Sequence, residues 1–397
     1  MTNLFSEELR RDPYPMYEQM RNASPVLHIP PPSDIWIIFD YENVRRVVND
    51  HDAFSSCVPA PDNWFIFFDP PQHTKMRALI SRAFTPKSIT NLEPRIREFS
   101  RELLDKAMVR GEIDLVTEYS APLPMMVIAE MIGIPVEDWS RFRQWSDTIL
   151  KISYSMRGME TDPEAATAMT GFRSVTVEMN EYVGEMIAQR RVAPRDDLLT
   201  RLVEAEVDGE RLTQHDILGF FQLLVVAGQE TTANLINNAV LCLIENPDQL
   251  ALLCSRPELL PSAIEEVLRY RSPIQWLMRT PTRDIALNGQ MVPAGKLMLA
   301  MIGSANRDSK QFREPDRFDI RREPNPHIAF GHGIHSCLGA ALARMESRIA
   351  LSDLMARLKD LELATDEPWQ PRKALHVHGP SHLPIRFKPA AHAVSVP

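Results

Sequence analysis

Cys337 sits in Phe330-Gly331-His332-Gly333-Ile334-His335-Ser336-Cys337-Leu338-Gly339-Ala340. A cysteine framed by glycines, preceded by an aromatic and followed by a helix-forming run, reads as a thiolate held in a tight loop. Glycine lets the backbone approach the sulfur, and backbone N–H groups can then donate to it. A rival reading gathers His327, His332, His335 and Cys337 as a zinc site, but the spacing is irregular and no second cluster completes it. Cys57, Cys242 and Cys254 read as buried free thiols. A second constellation is Ala227-Gly228-Gln229-Glu230-Thr231-Thr232, inside an otherwise apolar helix. A mid-helix glycine costs about 1 kcal/mol against alanine. Thr231 can bond the preceding turn or release it, which opens the helix locally. Beside it, Glu230 completes an acid–alcohol pair suited to proton transfer; the plainer reading is a kink with a solvated acid. Glu266-Val267-Leu268-Arg269 sets an acid and a base on one helix face, where they can pair, as any surface salt bridge would. His73 and Arg77 likewise share a helix face.

The elements that must position these groups follow from periodicity and punctuation. Tyr14–Asn22 reads as a helix, Ile35–Phe39 as a short buried strand and Tyr41–Asn49 as a helix. The stretch from Phe54 to Pro71 is irregular and rich in proline and aromatics. Its rings either pack on the body of the protein or form a lid over an apolar pocket. From His73 to Asn246 the pattern is helical almost without break. The clearest segment, Gln214–Asn246, has Thr213 as N-cap and Asp216 as a weak capping-box partner. It stops at Asn246-Pro247 and would be about 50 Å long. Its middle, Leu223–Ala227, is apolar on every face, as in a helix running through a protein's centre. A short helix at Pro261–Tyr270 follows, then short strands over 282–302 around Asn288-Gly289 and Pro293-Ala294-Gly295. A helix over Ala340–Leu358 and strand-like pieces close the chain.

The motif Phe-x-x-Gly-x-His-x-Cys-x-Gly resembles the haem-ligand loop of the cytochromes P-450. The resemblance covers essentially the whole chain, from Asp12-Pro13-Tyr14 to the C-terminal strands. Asp69-Pro70-Pro71-Gln72-His73-Thr74, Asn306-Arg307-Asp308 and Asn325-Pro326-His327-Ile328-Ala329 are similar to soluble bacterial members. It implies a mainly α fold with small β-sheets, in a single domain over 1–397 with a disordered tail at 390–397. It also implies haem b between the long central helix and the cysteine loop. Cys337 would be the axial ligand of the iron, whose thiolate favours O–O cleavage. Phe330 would stack near the sulfur side, and Ala227, Gly331 and Gly339 would lie against the cofactor. His73, Arg77, Arg279 and His335 match the partners of the two propionates. Glu230 and Thr231 match the oxygen-activation pair, with Glu where Asp is common. Glu266 and Arg269 match a structural lock, with Arg317 as its third member.

The implied activity is monooxygenation with dioxygen. The chain has no flavin or iron–sulfur motif, so electrons from NAD(P)H must arrive through a ferredoxin or flavodoxin and its reductase. Lys75, Arg82, Arg344 and Arg348 either receive that acidic partner or form an ordinary mixed surface. The segments expected to line the pocket supply Trp64, Phe65, Phe67, Phe220, Leu223, Leu224, Ile274, Trp276, Leu277 and Val377. An apolar lining selects a lipophilic substrate, such as a steroid, terpenoid or fatty acid. The region Ile149–Arg191 is expected to hold a mobile lid, with Tyr154, Met156 and Met159 reshaping the pocket. A peroxide-driven oxygenase is the alternative, although peroxide-using relatives tend to replace the Glu–Thr pair. A haem or lipid carrier would gain nothing from a weakened central helix.

Composition excludes other classes. At 397 residues with net charge −9, the chain lacks the basic stripe of a nucleic-acid binder. Four cysteines in so long a chain do not make a disulfide framework, which suits a reducing, cytoplasmic setting. No signal peptide is visible, and no apolar run approaches the roughly 20 residues of a membrane span. A monomer without a membrane anchor is expected.

Overall fold

The computed structural model describes residues 6–58, 61, 63–155 and 163–390, with side chains described except in 150–155 and 163–166. The elements run α1 (Glu7–Arg11), α2 (Tyr14–Ala23), β1 (Val26–Ile29), β2 (Ile35–Ile38), α3 (Tyr41–Asn49), β3 (Phe54–Ser55), α4 (Gln72–Ala83), α5 (Pro86–Thr90), α6 (Glu93–Met108) and β4 (Glu112–Asp114). Next come α7 (Pro122–Ile132), α8 (Trp139–Ser155), α9 (Pro163–Val192), α10 (Leu198–Glu204), the strands β5 (Glu206–Val207) and β6 (Glu210–Arg211), and α11 (Gln214–Glu245). The chain continues with α12 (Pro247–Ser255), α13 (Leu260–Tyr270), β7 (Leu277–Pro281), β8 (Ile285–Leu287), β9 (Gln290–Val292), β10 (Leu297–Ala300) and α14 (Ile302–Ala305). It closes with α15 (Ala340–Arg357), β11 (Leu358–Leu363) and β12 (Pro384–Pro389). The protein is mainly helical with small sheets, as expected.

Two compact units emerge from the contacts: Met1–Val58, Arg97–Ser120 and Thr231–Pro397 in one, Pro59–Ile96 and Ala121–Glu230 in the other. The first holds a five-stranded sheet in the order β1-β2-β10-β7-β3. Within it β2 pairs parallel with β10, Trp36 opposite Met298, and antiparallel with β1. Alternation along Ile35–Ile38 buries Trp36 and Ile38. These side chains join Val44, Val47 and Val48 of α3, whose amphipathic face supplies the other side of the core. Asp40 caps α3 by accepting from the Asn43 N–H at 3.2 Å. A second cluster packs Tyr14, Tyr17, Phe39 and Met301. The turn at Asn288-Gly289 forms between β8 and β9, both residues at positive φ.

In the second unit, α11 begins with a reciprocal capping box. The Thr213 N–H donates to Asp216 Oδ2 (2.9 Å) and the Asp216 N–H donates to Thr213 Oγ1 (3.1 Å). Asp197 caps α10 through the Thr200 N–H (2.8 Å) and pairs with buried Arg190 (2.7 Å).

Three expectations need correction. The stretch after His73 is interrupted by β4, by a π-turn at Val116–Ser120 and by the β5–β6 hairpin. Asn246-Pro247 stops α11 but also starts α12, because proline at the first helical position gives up only an N–H that has no partner there. Burial holds for Cys242 alone, whose thiol burial raises to about 11; Cys57 and Cys254 are exposed. Among the described residues no helix is long and apolar enough to cross a membrane. Residues 391–397, Met156, Met159 and the Tyr154 side chain lie outside the described residues.

Candidate functional site

The Cys337 loop is built by tight turns. Gly331 and Gly333 take φ +70° and +68°, a region costly for any residue with a Cβ. A Cβ on Gly333 would also lie 2.8 Å from Asn49 Oδ1, at the C-terminal end of α3. The Cys337 N–H donates to Phe330 O at 2.8 Å, drawing the loop closed, and the Ser336 N–H donates to Gly333 O at 3.1 Å. The cysteine is exposed, and α15 starts at Ala340 directly behind it. A Cβ on Gly339 would lie 3.9 Å from Sγ.

The three histidines of the zinc reading point elsewhere. His327 Nε2 is 3.0 Å from Glu265 Oε2, His332 Nδ1 is 2.9 Å from Asn49 Oδ1, and His335 Nε2 is 3.0 Å from Ser56 Oγ. Among the described residues no group of three or more His, Cys, Asp or Glu could hold a metal ion.

Behind the loop two adjacent acids serve two networks. Glu265 accepts both Nε and Nη2 of Arg344 at 2.7 Å. Burial works to raise its carboxyl, but Arg344 and His327 outweigh this and hold it down to about 2. The Arg344 guanidinium lies 4.5 Å from the Phe330 ring centroid, so the same cation braces the start of the loop. Glu265 paired its charge with the loop unseen in the sequence, where only the Glu266–Arg269 spacing stood out.

Glu266 and Arg269 are fully buried and paired at 2.8 Å. Arg269 also donates to Asn306 O (3.1 Å) and Pro315 O (2.8 Å). The third member of this lock is Arg322, whose Nε reaches both Glu266 oxygens at 3.1 Å. This corrects the expectation for Arg317. Its side chain is exposed and faces Glu314 at 3.8 Å, and only its carbonyl takes part, accepting from Arg269 at 3.2 Å and Arg322 at 3.0 Å. Arginines at 313, 317, 321 and 322 are alike in sequence, and the turns between them decide which one points inward.

The acid–alcohol segment lies on α11. Glu230 is 4% exposed and Thr232 is 3% exposed, so the acid is not the solvated one of the plainer reading. The helix runs unbroken through Ala227–Thr232, against the expected local opening. The glycine serves packing: a Cβ on Gly228 would come within 2.8 Å of Ile128 Cδ1, and the neighbouring Gln229 accepts from Ser146 Oγ.

Of the expected propionate partners, His73 is buried on α4 and stacks with Phe65 at 6.0 Å, and Arg77 lies one turn further on. Arg279 is buried on β7, and its Nη1 donates to Met278 O at 2.7 Å. His335 precedes the cysteine and meets Ser56 as above.

The expected pocket residues divide. Leu277 lies beside the cysteine loop, 3.9 Å from where a Gly331 Cβ would be. Ile274 and Val377 pair across an isolated bridge. Trp276, partly buried, packs against the Tyr14–Met301 cluster and lies near His376 (5.6 Å). Phe220 and Leu224 line a small apolar gap with Ile132, Leu198 and Leu202, so they serve helix packing. Leu223 is buried on the same helix. An all-apolar helix carries no periodic mark telling a ligand face from a packing face. Trp64, Phe65 and Phe67 pack on the body of the protein: Trp64 stacks with Phe67 (6.3 Å) and Phe65 meets Phe220 (6.2 Å). Of the expected docking cations, Lys75 is ion-paired with Glu210 and Arg344 with Glu265, so both are already engaged within the chain.

These residues fit the haem that the resemblance implies. The Cys337 sulfur is a soft donor on an exposed residue, the glycines of its loop leave room beside it, and within the same unit Arg279 stands on β7 and His335 in the loop.

A family model for cytochrome P450 matches residues 29–253 and 255–381. The chain is 42% identical over 361 residues to the putative cytochrome P450 YjiB of Bacillus subtilis, covering 90% of each. It is 35% identical to the vitamin D(3) 25-hydroxylase of Pseudonocardia autotrophica, over 98% of this chain and 96% of that one. Among solved structures, CYP109E1 from Bacillus megaterium in complex with corticosterone aligns with TM-score 0.89 and 39% identity, over 96% of this chain and 100% of that one.

Proposed function

The chain belongs to the cytochrome P450 family and is a P450 monooxygenase, and on that footing we propose that it hydroxylates a lipophilic substrate of the steroid class. Electrons come from NAD(P)H through a separate ferredoxin or flavodoxin and its reductase, and residues 1–397 act as one catalytic domain. One observation carries the assignment of the iron ligand: Cys337 is an exposed sulfur in a loop closed by its own N–H on Phe330 O. The steroid class is supported by the 39% identity to a protein solved with testosterone and with corticosterone.

Bound at Cys337, haem supplies the redox chemistry that activates dioxygen. The protein's residues do the rest. The glycine turns and the bond from the Cys337 N–H to Phe330 O would position the sulfur. His73, Arg77, Arg279 and His335 would hold the propionates. Glu230 holds a proton source within a buried helix, and the Thr231 hydroxyl passes protons onward from its Oγ1. Leu277 beside the loop would exclude water from the substrate side.

The reduced carbon-monoxide difference spectrum tests the ligand: a thiolate-type band is expected, and its absence overturns the assignment. Thr231→Ala tests the proton pair. Oxygen consumption should continue while product per oxygen falls about tenfold or more, and unchanged coupling would remove Thr231 from the relay. Full turnover with peroxide alone would favour the peroxide-driven alternative.

A further inference from the structure

Three consecutive residues ahead of α4 are fastened to α11. Buried Asn63 donates Nδ2 to His215 O at 3.3 Å, and a Cβ on Gly219 would lie 2.2 Å from Asn63 O, so glycine alone admits this approach. Trp64 Nε1 donates to Gln222 Oε1 at 3.2 Å. Phe65 lies between Phe220 (6.2 Å) and His73 (6.0 Å). Gln222 is 2% exposed, and its other end is used too: Nε2 donates to Asn180 Oδ1 on α9 at 3.0 Å.

An amide buried in an apolar helix is unfavourable unless both ends are hydrogen-bonded. Here both are, and each bond leads to a different element. The indole N–H of Trp64 has its partner only while the aromatic loop lies on α11. Phe67 stacks on Trp64 with ring planes 10° apart, so the two rings are held as one wall.

We propose that Gln222 is a specificity-determining latch, whose amide pins the Trp64–Phe67 wall to α11 and ties it to α9. Bulky apolar ligands exchange only when the Trp64–Gln222 bond opens, whereas small ligands pass with it closed. This rests on the haem-monooxygenase reading above.

The test uses the haem-loaded enzyme with imidazole and 1-dodecylimidazole, which share the iron-binding ring and differ in the apolar tail. Association and dissociation are followed by stopped-flow Soret shifts. Gln222→Leu should speed both rates for dodecylimidazole about tenfold, as expected for losing buried hydrogen bonds, and change imidazole rates less than about twofold. Trp64→Phe keeps a ring but loses the N–H and should do the same. The double variant should be no faster than Gln222→Leu alone, since Trp64→Phe removes only a bond that Gln222→Leu has already broken. Without ligand, the Phe67 and Phe68 amides, which donate to Trp64 O (3.0 Å) and Phe65 O (3.1 Å), should exchange hydrogen faster in both variants.

Equal acceleration of both azoles, rates that multiply in the double variant, or no change at all would each overturn the latch. Should Gln222→Leu not fold, Trp64→Phe decides the matter alone by the same contrast between azoles. A parent enzyme lacking the thiolate band means the haem reading has failed. A normal band with unaltered azole rates means that only the latch has failed.

Discussion

Glu346 lies beyond Cys337 on α15, 2% exposed, and its Oε2 has no hydrogen-bond partner among the described residues. Burial raises its carboxyl from 4.5 to about 8, so the folded protein keeps it protonated near neutrality. The unfolded chain ionises it above about 4.5, and stability is therefore lost as pH rises from there towards 8. Glu346→Gln removes this penalty. The variant should match the parent at pH about 4 and gain by up to about 1.4 kcal/mol per pH unit on rising towards pH 8. Urea unfolding at both ends of the range measures this, and a gain independent of pH would contradict it. A second comparison concerns the lock around Glu266. Arg322→Ala leaves a buried carboxylate under-paired and should cost about 3 kcal/mol. Arg317→Ala keeps the carbonyl that matters and should change stability by less than about 1 kcal/mol. Thermal melts distinguish the two, and equal losses would restore Arg317 to the lock. The Glu266–Arg269 pair was legible because helical spacing alone sets it. Its third partner was not, because turns between Pro315 and Pro324 choose the inward arginine.

At the level of elements, α3 and the cysteine loop are fitted to each other. Asn49 meets the His332 ring at 2.9 Å and leaves no room for a side chain on Gly333. Gly333→Ala should therefore combine backbone strain of about 1 kcal/mol or more with a clash on Asn49. Retention of haem during gel filtration should drop while far-ultraviolet circular dichroism stays near that of the parent; full retention would show that the loop has slack. Helices with caps and amphipathic faces were readable from sequence: α3 spans the expected Tyr41–Asn49, and α11 starts where Thr213 predicted. Elements of two to four residues were not: β5 and β6 are too short to carry a pattern, and β4 is decided by a partner distant in the chain, β12. On α11 the apolar middle concealed which residues face a ligand. Phe220 and Leu224 turned out to fill the helix packing, and the polar Gln222 between them holds the aromatic loop.

At the level of the whole molecule, composition and the motif order carried the family, because cofactor chemistry fixes a few residue types at set spacings. They did not carry the arrangement of the large sheet. Its strands β1 and β2 come from residues before 39, whereas their neighbours β10 and β7 come from residues after 276. This pairing has a consequence for biosynthesis. At roughly 5–20 residues per second, β2 emerges about 13–50 s before the strand it must pair with. During that wait its edge, with Trp36 and Ile38, has no lasting cover, and such unpaired edges are where nascent chains aggregate or recruit chaperones. Ribosome-stalled chains ending before β10 should accordingly be cleaved near β2 by a brief protease pulse, and chains extending past α15 should resist. Equal resistance would mean that β2 finds another shelter. Cys337 emerges later still, so the cofactor cradle is completed only after every strand of the large sheet has been made.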